Sequence, residues 1–168
     1  MKIGILSDVH RKVDLLQSAL DNFKQYNLDY IICAGDLEIE NNLQLLKSMD
    51  IPYYCVFGNN DLGLFNLKDK YNIFKEPYYF KIERLNFKLM HLPFYLSADS
   101  DIVIYGHTHL QDISYKNGTL FLNPGEICAR EKPQSTYMIL EILDNKYIIT
   151  TYINDFNIIT TKRIEYER

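Results

Sequence analysis

The chain has 168 residues, 47% of them hydrophobic, and a formal net charge of −4 at pH 7. That size supports one domain with a substantial core, and the hydrophobic share excludes a disordered chain. Lysine and arginine are scattered rather than gathered into a basic stripe, which argues against dedicated nucleic-acid binding.

In chain order, residues 2–7 ("KIGILS") read as a first strand. Residues 13–25 place Leu16, Ala19, Leu20 and Phe23 on one face, the spacing of an amphipathic helix. "YIICAGD" is a β-branched run ending in glycine, suited to a strand buried on both faces. Residues 41–49 set Leu43, Leu46 and Met49 on one side of a second helix. "IPYYCVFGNND" is a third strand, with its proline at the start where a missing donor is tolerated. This β-α-β-α-β order implies parallel strands joined by right-handed crossovers. Further on, "PYYFKIERLNFKLMH" predicts a hairpin turning near Leu85–Asn86, and "DIVIYGHTH" another buried strand. "DISYKNGTLFLNPG" predicts a hairpin on Asn117–Gly118. "TYMILEIL" and "KYIITTYI" follow, joined at Asp144–Asn145, with a terminal strand near 157–166.

No apolar run approaches the roughly 20 residues of a membrane span. The opening "MKIGILSDVH" brings a charged, turn-like residue too soon for a signal peptide. Cys33, Cys55 and Cys128 are isolated and odd in number, so no disulfide framework is expected, and Cys33 and Cys55 read as small buried hydrophobes. The expectation is a single cytoplasmic α/β domain spanning residues 1–168.

The polar residues at the ends of the predicted strands are Asp8, His10, Asp36, Asn59, His91, His107 and His109, and they include all four histidines of the chain. Open α/β sheets bind ligands at the carboxyl ends of their strands. Taken singly, each residue has an ordinary reading: Asp8 as a helix cap, Gly35–Asp36 and Asn59 as turns, His91 as a core histidine. "GHTH" is stronger, because two imidazoles two residues apart can face one centre from an extended segment. Together, seven nitrogen and oxygen ligands at five strand ends would be costly to bury unpaired, and a metal centre is the natural compensation. One ion rarely takes more than six ligands, so seven side chains and a solvent bridge suit two ions, about 3.5–4 Å apart in such sites.

The ordered series D-x-H, G-D, G-N-x-D, H and G-H-x-H over residues 2–126 resembles the calcineurin-like metallophosphoesterases, and among them the small bacterial and archaeal phosphodiesterases. The resemblance implies a two-sheet β-sandwich flanked by helices, a four-layer αββα metallophosphoesterase fold. It implies that Asp8, His10 and His109 hold a first metal, that Asn59, His91 and His107 hold a second, and that Asp36 bridges them. Catalysis is expected to rest on Asp36, Asn59, His91 and Asp61. The expected cofactor is two divalent ions, manganese first, with Fe, Co, Ni and Zn also compatible with the donor set. The activity implied is hydrolysis of a small phosphodiester by a metal-bridging hydroxide, without a nucleic-acid or membrane partner and with an oligomer left open. The rivals are a phosphomonoesterase, and a non-catalytic metal-binding scaffold like the retromer subunit of this fold.

Three departures from the family pattern bear on the site. Leu92 and Pro93 follow His91, where the family commonly has glycine. Only ten residues, "LPFYLSADSD", separate His91 from the next strand, which leaves that side of the site open. Asn60 stands where larger relatives have a histidine that protonates the leaving group. Asp61 either orients a ligand or the active-site water, or caps the following turn. Arg11 either meets a phosphate or is an ordinary exposed arginine. "FLNPGE" is similar to the family's N-P-G turn and receives no catalytic part.

Overall fold

The computed structural model describes residues 1–155 and 158–168. Its first third is β1 (Lys2–Leu6), α1 (Val13–Phe23), β2 (Tyr30–Cys33), α2 (Glu40–Ser48) and β3 (Tyr53–Val56), and a short β4 (Ile73–Phe74) follows a 3-10 turn at Leu62–Leu67. β5 (Tyr78–Ile82), β6 (Leu85–Leu89), β7 (Ile102–Ile104), β8 (Gln111–Lys116) and β9 (Thr119–Pro124) come next, then β10 (Ser135–Ile142), β11 (Lys146–Asp155) and β12 (Ile158–Glu167). The strands form a seven-stranded sheet, β12-β11-β10-β1-β2-β3-β4, and a five-stranded sheet, β5-β6-β7-β9-β8. Residue 157, the expected start of the terminal strand, lies outside the described residues.

β1, β2, β3 and β4 run parallel, as the alternation of strand and helix requires. Leu16, Ala19, Leu20 and Phe23 of α1 and Leu43 and Leu46 of α2 pack on Leu6, Ile31, Cys33, Cys55 and Tyr137. Both α-helices therefore cover the outer face of the larger sheet. Between the sheets, Ile3, Ile5, Ile32 and Val56 meet Phe87, Leu89, Ile102, Ile104, Leu120 and Leu122. Each such fully buried side chain contributes roughly 1.5–3 kcal/mol.

The outermost layer, on the smaller sheet, is thin. Met90, Val103 and Tyr105 face outward there, and the connection from β6 to β7 has only a 3-10 turn at Pro93–Tyr95. Lys88, 1% exposed, ties that connection down through Ser97 Oγ at 2.9 Å and Asp99 Oδ2 at 3.0 Å.

The hairpin expected to turn at Leu85–Asn86 turns two residues earlier, at Glu83–Arg84, with Ile82 opposite Leu85. Burial decides the register: Ile82 and Leu85 both enter the intersheet core, and Glu83 accepts a φ of 52° to close the turn. The Asn117–Gly118 turn is where the sequence predicts it, both residues having positive φ.

Candidate metal centre

The parallel strands of both sheets end at a common edge. Beyond β1 lie Asp8 and His10, beyond β2 Asp36, beyond β3 Asn59, beyond β6 His91, and beyond β7 His107 and His109. The backbone is unusual here: Asp8, His10, Asp36, His107 and His109 all have left-handed φ, between 51° and 68°. Each such non-glycine residue costs of order 1–3 kcal/mol and persists only where its surroundings fix it. The fixing bonds are visible: Asp8 N–H donates to Gly35 O, and Val9 and His10 N–H both donate to Asp36 O. Close approach also demands glycine. A Cβ on Gly58 would lie 2.2 Å from Asp36 Oδ1, and one on Gly106 2.0 Å from Ser7 Oγ.

All seven side chains named from the sequence come together, in two groups. In the first, His109 Nε2 lies 3.3 Å from Asp8 Oδ1, and the rings of His10 and His109 stack with centroids 5.4 Å apart. In the second, Asn59 Oδ1 lies 2.9 Å from His91 Nε2 and 3.0 Å from His107 Nδ1. Asp36 touches both, its Oδ2 being 3.4 Å from His91 Nε2 and 3.8 Å from His10 Nε2. Asp8, His10, Asp36, His91 and His109 are buried, while Asn59 and His107 are exposed.

The donor chemistry fits divalent cations. Asp8 Oδ1 and His10 Nε2 are buried and have no hydrogen-bond partner. Burial raises the Asp8 carboxyl pKa, His91, Ser7 and His109 offset this in part, and the Asp36 charge adds to it. Three imidazoles have Nδ1 occupied: His10 on Glu38 Oε1 at 2.7 Å, His109 on Glu126 Oε2 at 2.6 Å, and His91 on Ala34 O at 2.7 Å. With Nδ1–H donating, each Nε2 turns a lone pair inward, as metal-binding imidazoles require. Cys128 lies beside His10 and His109, but burial and the Glu126 carboxylate push its thiol up to about 12. The thiol donates to Glu126 at 3.0 Å.

A model of the calcineurin-like phosphoesterase superfamily domain matches residues 1–145. The chain belongs to that superfamily. As a member it is a metal-dependent phosphoesterase. A phosphodiesterase of Methanocaldococcus jannaschii is 28% identical over 160 residues, covering 88% of this chain and 96% of the relative. Among solved structures, a Vps29 variant from Entamoeba histolytica superposes with a TM-score of 0.81 at 23% identity, over 99% of both chains. An archaeal phosphodiesterase gives 0.73 at 24% identity, over 99% of this chain and 100% of its own. The two superpositions establish likeness of fold.

The phosphoesterase also uses residues that its sequence does not advertise. Glu38 and Glu126 hold the ring nitrogens of His10 and His109. Burial alone would raise the Glu126 pKa, but hydrogen bonds from His109, Cys128 and the Lys132 and Arg130 amides bring it down to about 2. Asn60 fills the histidine position by binding Asp36 twice, through its amide N at 2.9 Å and Nδ2 at 2.7 Å. Asp61 is fully buried and caps the following turn with its backbone carbonyl, not its side chain; its carboxylate accepts the N–H groups of Asp36, Glu38 and Gly58 at 2.9, 2.6 and 2.7 Å. Arg11 is 77% exposed and bound to Glu38. Arg130 Nη2 reaches His109 Nε2 at 2.9 Å. One signal was present for Glu126: a carboxylate directly after a tight N-P-G turn at the end of a buried strand.

Proposed function

We propose that this phosphoesterase is a dinuclear phosphodiesterase acting on small phosphodiesters. The observation that carries the reading is Asp36, a buried carboxylate whose Oδ2 lies within 4 Å of an imidazole from each of two ligand groups. Asp8, His10 and His109 would hold one divalent cation, Asn59, His91 and His107 a second, and Asp36 would be shared. When bound, such a pair supplies an acidified water and positive charge for the phosphoryl oxygens. The chain's own part is orientation. Glu38, Glu126 and the Ala34 carbonyl hold three rings, Asn60 and the backbone hold Asp36, and buried strands exclude water behind them.

A mixed carboxylate, amide and imidazole set is compatible with Mn, Fe, Co, Ni and Zn, of which we take manganese first. Preference for diesters is supported by Asn60, which is no acid and is occupied with Asp36, and by the absence of any histidine outside the cluster. No helix among the described residues is long and apolar enough to cross a membrane. Three buried, unbridged cysteines fit a reducing compartment such as the cytoplasm.

The test is hydrolysis of bis(p-nitrophenyl) phosphate and p-nitrophenyl phosphate by chelator-treated protein, before and after Mn²⁺ is restored. The reading expects metal-dependent turnover, faster on the diester. Faster monoester cleavage would make the chain a monoesterase, and two bound ions without turnover would make it a scaffold.

A further inference from the structure

The two ligand groups differ in what stands behind their imidazoles. In the first group both rings rest on carboxylates: His10 Nδ1 on Glu38 Oε1 at 2.7 Å and His109 Nδ1 on Glu126 Oε2 at 2.6 Å. In the second, His91 Nδ1 rests on the neutral Ala34 carbonyl at 2.7 Å, and His107 Nδ1 lies against the Asn59 amide oxygen at 3.0 Å. Glu126 is 2% exposed, and its geometry is fixed from five sides. His109, the Cys128 thiol and the Arg130 N–H donate to Oε2, while the Glu131 and Lys132 N–H groups donate to Oε1. Glu38 is held by its own N–H on Asp61 and by Arg11 on Oε2 at 3.0 Å.

Resting on the two-cation reading, we infer that Glu38 and Glu126 are positioning residues that make the Asp8–His10–His109 position the tighter of the two, so that it fills first. A carboxylate on Nδ1 fixes the tautomer, aims the ring and makes Nε2 a stronger donor, whereas a carbonyl supplies the aim without the charge. The first position is surrounded by Asp8, Glu38 and Glu126 in addition to the shared Asp36. The second has no carboxylate beyond Asp36 among its named ligands and their Nδ1 partners; Asp8 also lies near His91, and Glu76 accepts the His91 backbone N–H, but neither rests on a ring nitrogen of the second group. Burial sharpens the difference, since Asp8 and Glu126 are almost wholly removed from solvent while Asn59 and His107 are exposed. Two cations oppose it, Arg11 on Glu38 and Arg130 on His109, with side chains 77% and 57% exposed. Solvent screens charges so placed, and a cation on the His109 lone pair would displace Arg130 toward water.

The experiment is calorimetric titration of Mn²⁺ into chelator-treated wild-type protein, Glu126→Gln and Glu38→Gln, with melting curves of the metal-free proteins as a folding control. Two resolved steps are expected in the wild type. Each variant should weaken the tighter step roughly 10–100-fold and leave the weaker step in place. A merely structural defect would lower both steps together, and that result, or an unchanged tight step, overturns the inference while leaving two cations standing. Fewer than two ions in the wild type would overturn the two-cation reading and the filling order with it. A second measurement does not depend on the glutamate variants folding. One equivalent of Co²⁺ should give a visible spectrum that survives His107→Ala and is lost in His109→Ala, and the reverse pattern would overturn the order.

Discussion

Asp61 and Asn60, adjacent in the chain, have different tasks. Asp61 accepts three backbone N–H groups in a fully buried place, and so fixes the left-handed turn that presents Asp36. Asp61→Asn keeps one acceptor oxygen for the Asp36 and Gly58 N–H groups, but turns an amide donor toward the Glu38 N–H and leaves it unpaired. Such an unpaired group costs about 1–3 kcal/mol, and a loss of that size is expected in urea unfolding. An unchanged midpoint would show that the turn holds without Asp61. Asn60 is bound to Asp36, Asp61 is sealed in, and the four histidines face the centre, so none of these residues is placed to protonate a departing oxygen. A positioned acid typically contributes roughly 10²–10⁴-fold. A plot of kcat/KM against leaving-group pKa for substituted phenyl diesters should therefore slope steeply. A flat plot with chemistry rate-limiting would reveal an acid elsewhere in the site.

At the scale of elements, the connection from β6 to β7 follows directly on His91 and carries only a short 3-10 turn. It is held to the smaller sheet by Lys88, whose ammonium is buried while its partner Asp99 is 42% exposed. Burial would raise the Asp99 pKa, but Lys88, Ser97 and Tyr79 outweigh it and the carboxyl is held below its usual value of 3.8. A carboxyl with a lowered folded pKa contributes stability above its unfolded value and loses it as pH falls through the folded one. Asp99→Asn should therefore destabilise at pH 7, by about 1–2 kcal/mol given the half-exposed partner. The gap from wild type should narrow once pH falls below about 4. A gap independent of pH would mean that the pair contributes no charge term. Elements of this kind were partly legible in the sequence. The helices of the first third were readable because their apolar stripes have the helical period, and the Asn117–Gly118 turn because it needs two positive φ values. The turn at Glu83–Arg84 was not, since Asn86 looks like the turn residue until the intersheet core claims Ile82 and Leu85. β4, with two residues, has no period to read.

Across the whole molecule, two sheets built from distant stretches of chain bring their strand ends to one edge, and seven side chains converge there. Those seven were legible because polar residues at the ends of apolar strands stand out, and because their order matches a family pattern. Their supports were not. Glu38 and Asn60 carry no local signature and Glu126 only its place after the N-P-G turn, and their roles exist only once β1, β2, β7 and β9 are packed side by side. The central claim is that Asp36 joins two cations in one centre. Electron paramagnetic resonance of the protein loaded with two equivalents of Mn²⁺ tests it most directly. The account predicts an exchange-coupled dimanganese spectrum that disappears in Asp36→Asn, with bound metal falling below two per chain. Spectra of two isolated Mn²⁺ ions in the wild type, or a coupled spectrum that persists in Asp36→Asn, would contradict it.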